Sequence, residues 1–453
     1  MLTIKSNILD KMIGNLVEKN KGILEDKRKI VFMILSIIYR LSLDIYFLTV
    51  ISEIYSYEGL VRDVSVIHYF CSWILYILGY MFVVTVSNYI IAVFLHIQWI
   101  LTITPVFTIY ATQKNKSILF LLCILCVVIL QAQVAKKEKG VAISLGNGVA
   151  TPYFTIFGCI LIMAVWIIMV LYNDFAGVKA FDLVYIYQMR EKLVYPPLFG
   201  YFVSWITRVI IPWFFMNGLV HKKFFLSFYS ITFELLFYMI LGGKGPLLSI
   251  GVIVVICVLS KYKILLYGTY MGMIACCLFG IIGYSLDKLG TANESLVFQA
   301  LFGARTLFIP ATIKYQFYEV FQQFPKIMFS DGMIGKLLSQ TYLYKNNLGT
   351  MVYAYFNNGS NAVEANTGYL ADGYAQMGLV GMLGMGLLVI LVVRFFSKYD
   401  GYIERTVLAC VVGTVCVVLN DGAFFTSFLT GGIVIYMMLL IIYAKGGKNN
   451  DNL

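Results

Sequence analysis

Charged residues are scarce in this chain. Asp, Glu, Lys and Arg make up 13% of its 453 residues, roughly half the share in soluble domains. With 60% of the residues hydrophobic and a mean hydropathy of +0.84, a soluble fold could not hide its apolar surface, so lipid must be the main solvent. Proline is rare too, at 8 residues. The apolar stretches run unbroken instead of alternating, which excludes a transmembrane barrel and leaves helices. His68, His96 and His221 are scattered and cannot assemble a zinc cluster by themselves. The nine cysteines lie inside apolar segments, where thiols mostly pack, so neither a disulfide framework nor a metal site is expected.

Signatures of nucleotide chemistry are missing as well. The stretch GGKGPLL at 242–248 lacks the spacing and the Ser/Thr of a P-loop. There is no His-Glu-x-x-His, no nucleophile elbow and no polar domain large enough to hold a nucleotide. ATP-driven transport is disfavoured, and no cofactor is expected. The net charge of +11 does not indicate nucleic acid, because the basic residues sit in short loops between apolar segments, a signature of membrane topology.

The expected fold is an all-α polytopic membrane protein. Residues 1–30 read as a cytoplasmic amphipathic segment, 31–443 as one transmembrane domain and 444–453 as a cytoplasmic tail. Twelve spans are expected at 31–51, 66–85, 89–110, 117–134, 151–172, 197–216, 224–241, 246–260, 264–285, 374–393, 406–420 and 424–443. With residue 1 inside, 19 of the 34 Lys and Arg residues fall on the inner side and 13 on the outer, with Arg40 and Arg208 embedded. The excess places both termini in the cytoplasm. Lys114 and Lys116 are the main violation. The outer loops are short apart from 173–196 and 286–373, and apolar stretches at 296–309 and 313–321 read as helices lying against the membrane. Loops this long are usually functional. Tyr342, Tyr344, Tyr353, Tyr355, Phe356, Asn357 and Asn358 suit a sugar, since rings stack on pyranose faces and amides bond hydroxyls.

Several charged positions stand out. Lys244, in the glycine turn, would sit at the outer surface. It is equally a phosphate ligand or a snorkelling lysine in a tight hairpin. Arg305, in LFGARTLFIP, needs an anionic partner, either a lipid-linked diphosphate or a carboxylate such as Glu319 or Asp331. Arg40 and Asp44 are four apart and can neutralise each other on one helix face. Arg208 and Glu234 lie at comparable depth on sequential helices, where a buried pair is expected. Glu364 and Asp372 stand at the approach to a glycine-rich span containing Gly378, Gly381, Gly384 and Gly386. There a carboxylate can act as a base, or merely solvate the loop and cap the helix.

Three of these motifs make the chain resemble the Wzy-type polymerases of O-antigen and capsular oligosaccharide repeat units. They are the turn Gly243, Lys244, Gly245; Arg305 with Pro310, Tyr315, Phe317 and Tyr318; and Asn366, Thr367, Gly368, Tyr369, Leu370, Ala371, Asp372, Gly373 and Tyr374, followed by Gly378 and Gly381. The motif resemblance covers roughly residues 190–395. It implies a metal-independent glycosyltransferase at the outer face of the bacterial cytoplasmic membrane. Such an enzyme moves a growing glycan from undecaprenyl diphosphate onto the next lipid-linked repeat unit. Arg305, Lys244, Glu364 and Asp372 would be catalytic, and Arg190, Lys192, Arg208, Tyr369 and Tyr374 would bind substrate. Its partners would be undecaprenyl-diphosphate-linked oligosaccharides, membrane lipids, a chain-length regulator and a flippase, with no nucleic acid. A lipid-linked oligosaccharide flippase or another polysaccharide export transporter is the alternative, although no internal repeat is evident.

Overall fold

A computed structural model describes residues 26–136, 151–173, 192–196, 198–290, 295–332, 335, 337, 339–359, 365–366 and 368–447. Those residues form helices, with isolated bridges only at Asp63–Gln113 and Asp400–Ile403. In chain order the principal helices are α1 (Asp26–Ile54), α2 (Val66–Val83), α3 (Tyr89–Thr112), α4 (Ile118–Lys136), α5 (Thr151–Tyr172), α6 (Phe199–Val220), α7 (Phe224–Leu241), α8 (Lys244–Lys261), α9 (Leu265–Lys288), α10 (Ser295–Gln323), α11 (Leu348–Phe356), α12 (Gly368–Ser397), α13 (Arg405–Asp421), α14 (Phe424–Leu429) and α15 (Ile433–Gly447).

Among the described residues, eleven helices are long and apolar enough to cross a membrane, with α14 and α15 counted together as Phe424–Ala444. This is a multi-pass helical membrane architecture. Ten of the eleven overlie expected spans. The expected spans 246–260 and 406–420 are helical as α8 and the 17-residue α13, but neither is among the eleven. The eleventh is α10, 29 residues long. It joins the two stretches expected to lie as separate surface helices into one helix continuous from 295 to 323. The described helix α1 begins at Asp26 and so absorbs the basic end of the expected amphipathic segment.

Helix α3 is the centre of the bundle. It contains no charged residue and is buried nearly all round, as a helix apolar on every face must be. Its polar side chains turn into the bundle and find partners: Thr108 donates to Asp44 at 2.6 Å, Thr102 to Asn420 at 2.7 Å, and Gln98 to Tyr369 at 2.8 Å.

Proline shapes three of the helices. Wide π-helical turns occur at Phe47–Ile51, Trp99–Ile103, Ile206–Ile210 and Gln299–Phe308, and the last three are followed two residues on by Pro105, Pro212 and Pro310. A proline lacks the N–H for the carbonyl four residues back, and its ring crowds that carbonyl. The preceding turn widens in response. The carbonyl that Pro212 deprives of its donor four residues on belongs to Arg208, and it accepts from the Tyr436 hydroxyl at 3.3 Å.

Helix α12 is really a hairpin of two helices. Met377 (φ −144°, ψ 25°) and Gly378 (φ 62°, ψ −141°) break it, and the conformation at Gly378 is open essentially to glycine alone. The segment 368–376 folds back along the start of 379–397. A Cβ on Gly381 would stand 2.0 Å from the Gly373 carbonyl oxygen, so bare backbones set the spacing. The expected span 374–393 therefore starts earlier and turns back on itself. Gly386 packs on Val127 of α4, whereas Gly384 faces open space and takes no part in close packing.

The described residues of 324–332 and 339–359 pack on the end of α10, the cap end. Tyr344 donates to the Pro325 carbonyl at 2.6 Å and Tyr355 to Gln323 at 2.9 Å. A small core of Phe317, Phe321, Ile327, Leu348, Val352 and Ala375 lies beneath.

Candidate functional site

The short arm 368–376 carries a seam of polar side chains into the bundle. At its start, Gly368 (φ +66°) lies against the last turn of α13, where a Cβ would meet the Asn420 carbonyl oxygen at 2.3 Å. Lys314 of α10 reaches the same point, 1% exposed. Its ammonium donates to the Asn420 carbonyl at 3.0 Å, to Asn420 Oδ1 at 3.2 Å and to the Pro310 carbonyl at 3.3 Å. A lysine suits the carbonyls left free at a helix C-terminus. Asn420 also donates through Nδ2 to Asp421 at 3.1 Å, which brings a carboxylate beside the lysine.

One residue further on, the Tyr369 hydroxyl accepts from Gln98 at 2.8 Å and from Gln131 at 3.3 Å. Gln131 also donates to the Gly386 carbonyl at 3.1 Å. Nearer the cap, Gln376 donates to Asp372 at 3.2 Å and to both oxygens of Asp331, at 3.2 and 3.4 Å. Asp372 is buried and Asp331 exposed, so one amide links an interior carboxyl to a surface one. The end of the arm is closed by Ile327 and Met328, whose N–H groups bond the Ala375 and Gln376 carbonyls at 3.1 Å each. Lys326 lies over the Tyr374 ring, 3.8 Å from its centroid. Burial pushes its amine down to about 8. Tyr374 itself packs on Tyr318 and Phe120.

The structure thus brings Tyr369, Asp372 and Tyr374 onto one arm and corrects several expectations. Asp372 is neither loop nor cap but an interior residue of the arm, five positions into the helix and 4% exposed. Arg208 and Glu234 form no ion pair: Arg208 is exposed on α6, and Glu234 is buried on α7 with Oε2 lacking any partner. The carboxylates expected beside Arg305 are engaged elsewhere, Glu319 with Lys116 at 2.9 Å and Asp331 with Gln376. Arg305 is exposed in the π-helical stretch of α10 and has no ion pair among the described residues. Arg40 and Asp44 do pair, at 3.3 Å and fully buried. Lys192 is exposed. Lys244 opens α8 but its side chain, like Glu364 and Arg190 altogether, lies outside what is described.

Sequence reasoning missed Lys314, Asn420, Gln98, Gln131, Gln376 and Lys326 as members of one seam. For the five on helices, a lysine or amide inside an apolar helix was the available signal, because lipid would leave it unsatisfied; Lys326 lies outside any helix. Among the described residues, no group of three or more His, Cys, Asp or Glu is placed to hold a metal ion. No family model, curated protein or solved structure matches the chain.

Proposed function

We propose that the protein polymerises lipid-linked oligosaccharide repeat units. It would transfer a growing glycan from an undecaprenyl diphosphate onto the next lipid-linked unit at the outer face of a bacterial cytoplasmic membrane. The observation that carries this reading is the state of Arg208 and Arg305. Both are exposed arginines in apolar helices, both occupy proline-widened turns, and neither has a carboxylate partner among the described residues. Charge at membrane depth without a protein partner calls for an anionic ligand, and a guanidinium matches phosphate with two parallel hydrogen bonds. In the reaction the diphosphate departs with growing negative charge, which fixed cations stabilise. The sugar-facing side would be the cap layer, with Tyr355, Phe356 and Phe324 at its surface. Asp372, linked through Gln376 to Asp331, is the candidate base for the acceptor hydroxyl.

The reading includes both termini inside and the loop 173–196 and residues 340–359 outside, with α10 a helix of the bundle and not part of an outer loop. Cysteines placed at 340–360 should react with impermeant maleimide in intact cells, and cysteines at 136–140 only after permeabilisation. Purified protein given lipid-linked repeat units should produce a ladder of polymer. Arg305→Ala should abolish the ladder while single units persist, and Arg305→Lys should fall sharply because it loses the two-pronged geometry. A normal ladder from well-folded Arg305→Ala would remove Arg305 from the site.

A second reading, an export transporter or flippase for such lipids, draws on the arm 368–376 and the end of α13. Interrupted helices meeting inside a bundle also build transport sites. Movement of labelled lipid-linked units across a vesicle bilayer, without chain growth, would favour it.

A further inference from the structure

Glu234 stands apart from every group used above. It lies on α7, on the buried stripe formed by Ser227, Ser230, Glu234, Phe237 and Tyr238. It is 2% exposed, and its Oε2 is sealed from solvent without a hydrogen-bond partner. The neighbouring serine on its own face is turned away, since Ser230 donates to the Leu226 carbonyl. Among the described residues, the helices packed against α7 bring no cation to it. The segment 211–220 of α6 and the whole of α5 contain no charged residue. On α8 the only ones are Lys244 and Lys261, at its two ends. Arg208, earlier on α6, is exposed and forms no ion pair with it. On α15, Tyr436 comes within electrostatic range of Glu234 but spends its hydroxyl on the Arg208 carbonyl and Thr414, and Lys445 lies near the far end of that helix. The remaining titratable groups on facing helices are Tyr153, Cys159 and Tyr172 of α5, Tyr201 of α6, Cys257 of α8 and Tyr443 of α15, none of which can supply positive charge.

A carboxylate cannot persist unpaired in such surroundings; the group takes up a proton instead. We propose that Glu234 is a proton-binding site inside the bundle, occupied by its proton in the folded protein at neutral pH. The site is independent of the polymerase reading. It stands on the isolation of one carboxyl within a helix long and apolar enough to cross a membrane.

A lipid-soluble carbodiimide tests this directly. Dicyclohexylcarbodiimide takes the acid proton on nitrogen while the carboxyl oxygen adds to its central carbon. The resulting O-acylisourea rearranges to a stable N-acylurea, with no atom lost. Purified full-length protein in detergent at pH 7.5 should carry this adduct at Glu234, located by peptide mass spectrometry. Glu234→Gln should lose the adduct. Glutamine is a neutral isostere of the acid, so the variant should also fold normally. Because unfolding frees the acid to ionise, the wild-type unfolding constant should rise with pH above about 5, by up to tenfold per unit from this group, and Glu234→Gln should lose that component. Absence of a Glu234 adduct in folded wild-type protein would overturn the proposal whether or not the variant folds. So would a Glu234→Gln variant with an unchanged pH slope.

Discussion

The Lys314 ammonium and the Asn420 carbonyl oxygen meet at 3.0 Å, and through this contact α10 is tied to the end of α13 beside the start of the arm 368–376. The lysine supplies donors that α13 lacks where it ends. Lys314→Met keeps most of the volume and removes those donors, leaving the Asn420 carbonyl short of a partner while Asn420 Oδ1 keeps Thr102. The expected loss is about 1–3 kcal/mol, from a buried acceptor left unsatisfied. A lowered melting temperature in detergent would show it. Lys314→Arg should be no rescue, because the Lys314 Cε already lies 3.2 Å from where a Gly368 Cβ would stand and a bulkier head would overpack the site.

The helical hairpin depends on two glycines and not on a third. Gly378→Ala forces a side chain into φ 62°, ψ −141°, a strain of roughly 1–3 kcal/mol. Gly381→Ala sets a Cβ against the Gly373 carbonyl and should separate the two arms. Gly384→Ala meets nothing within 4 Å and should be neutral or stabilising by about 0.5–1 kcal/mol. Thermal melts of the three variants would rank them. A Gly384 variant as damaging as Gly381→Ala would contradict the packing described.

Lys326 should be the reactive amine of the cap end. Its acylation rate should reach half-maximum near pH 8, whereas an ordinary lysine titrates near about 10.4. The sign for stability follows from the same shift. Between about 8 and about 10.4 the unfolded chain holds a proton that the folded chain has lost, so stability rises with pH through that window. Below pH 8 the folded protein carries the half-buried charge and is least favoured. Pulse acylation across pH 6–10, read by mass spectrometry, checks the first claim, and Lys326→Met should flatten the second.

The Arg40–Asp44 pair should behave as a buried structural bridge. Arg40 also donates to Ser72 at 2.8 Å and stacks against Trp73 and Tyr76, 4.9 Å from each ring centroid. Arg40→Ala strands the Asp44 charge and should cost about 3–5 kcal/mol, while replacing both members with apolar residues should recover much of it. The yield of monodisperse protein after size exclusion would separate the single variant from the double.

Much of this architecture was legible in the chain. Apolar length marks a helix because lipid offers no partner for an unpaired backbone, so ten expected spans coincide with long apolar helices. The Arg40–Asp44 pair followed from a spacing of four on one helix. The Arg208–Glu234 pairing did not hold, because equal depth on adjacent helices says nothing about which way each side chain turns. The two surface helices expected from the apolar stretches 296–309 and 313–321 are one helix, α10, with Lys314 in its second half. In the fold, that half is buried and its lysine is satisfied by Asn420, 106 residues away.

The sequence by itself determined the solvent, the helical class and the approximate position of ten of the eleven long apolar helices, since these depend on composition and local periodicity. It also placed Arg208 and Arg305 one turn ahead of a proline, and so fixed where their helices widen. Only the tertiary structure decided that residues 368–376 turn back at Gly378. The φ and ψ of that residue become affordable only when Gly373 and Gly381 pack without side chains. Tertiary structure likewise decided which polar groups form the seam. Lys314, Asn420, Gln98, Gln131 and Tyr369 are far apart in the chain, and each is tolerable in an apolar interior only because packing delivers the others within hydrogen-bond reach.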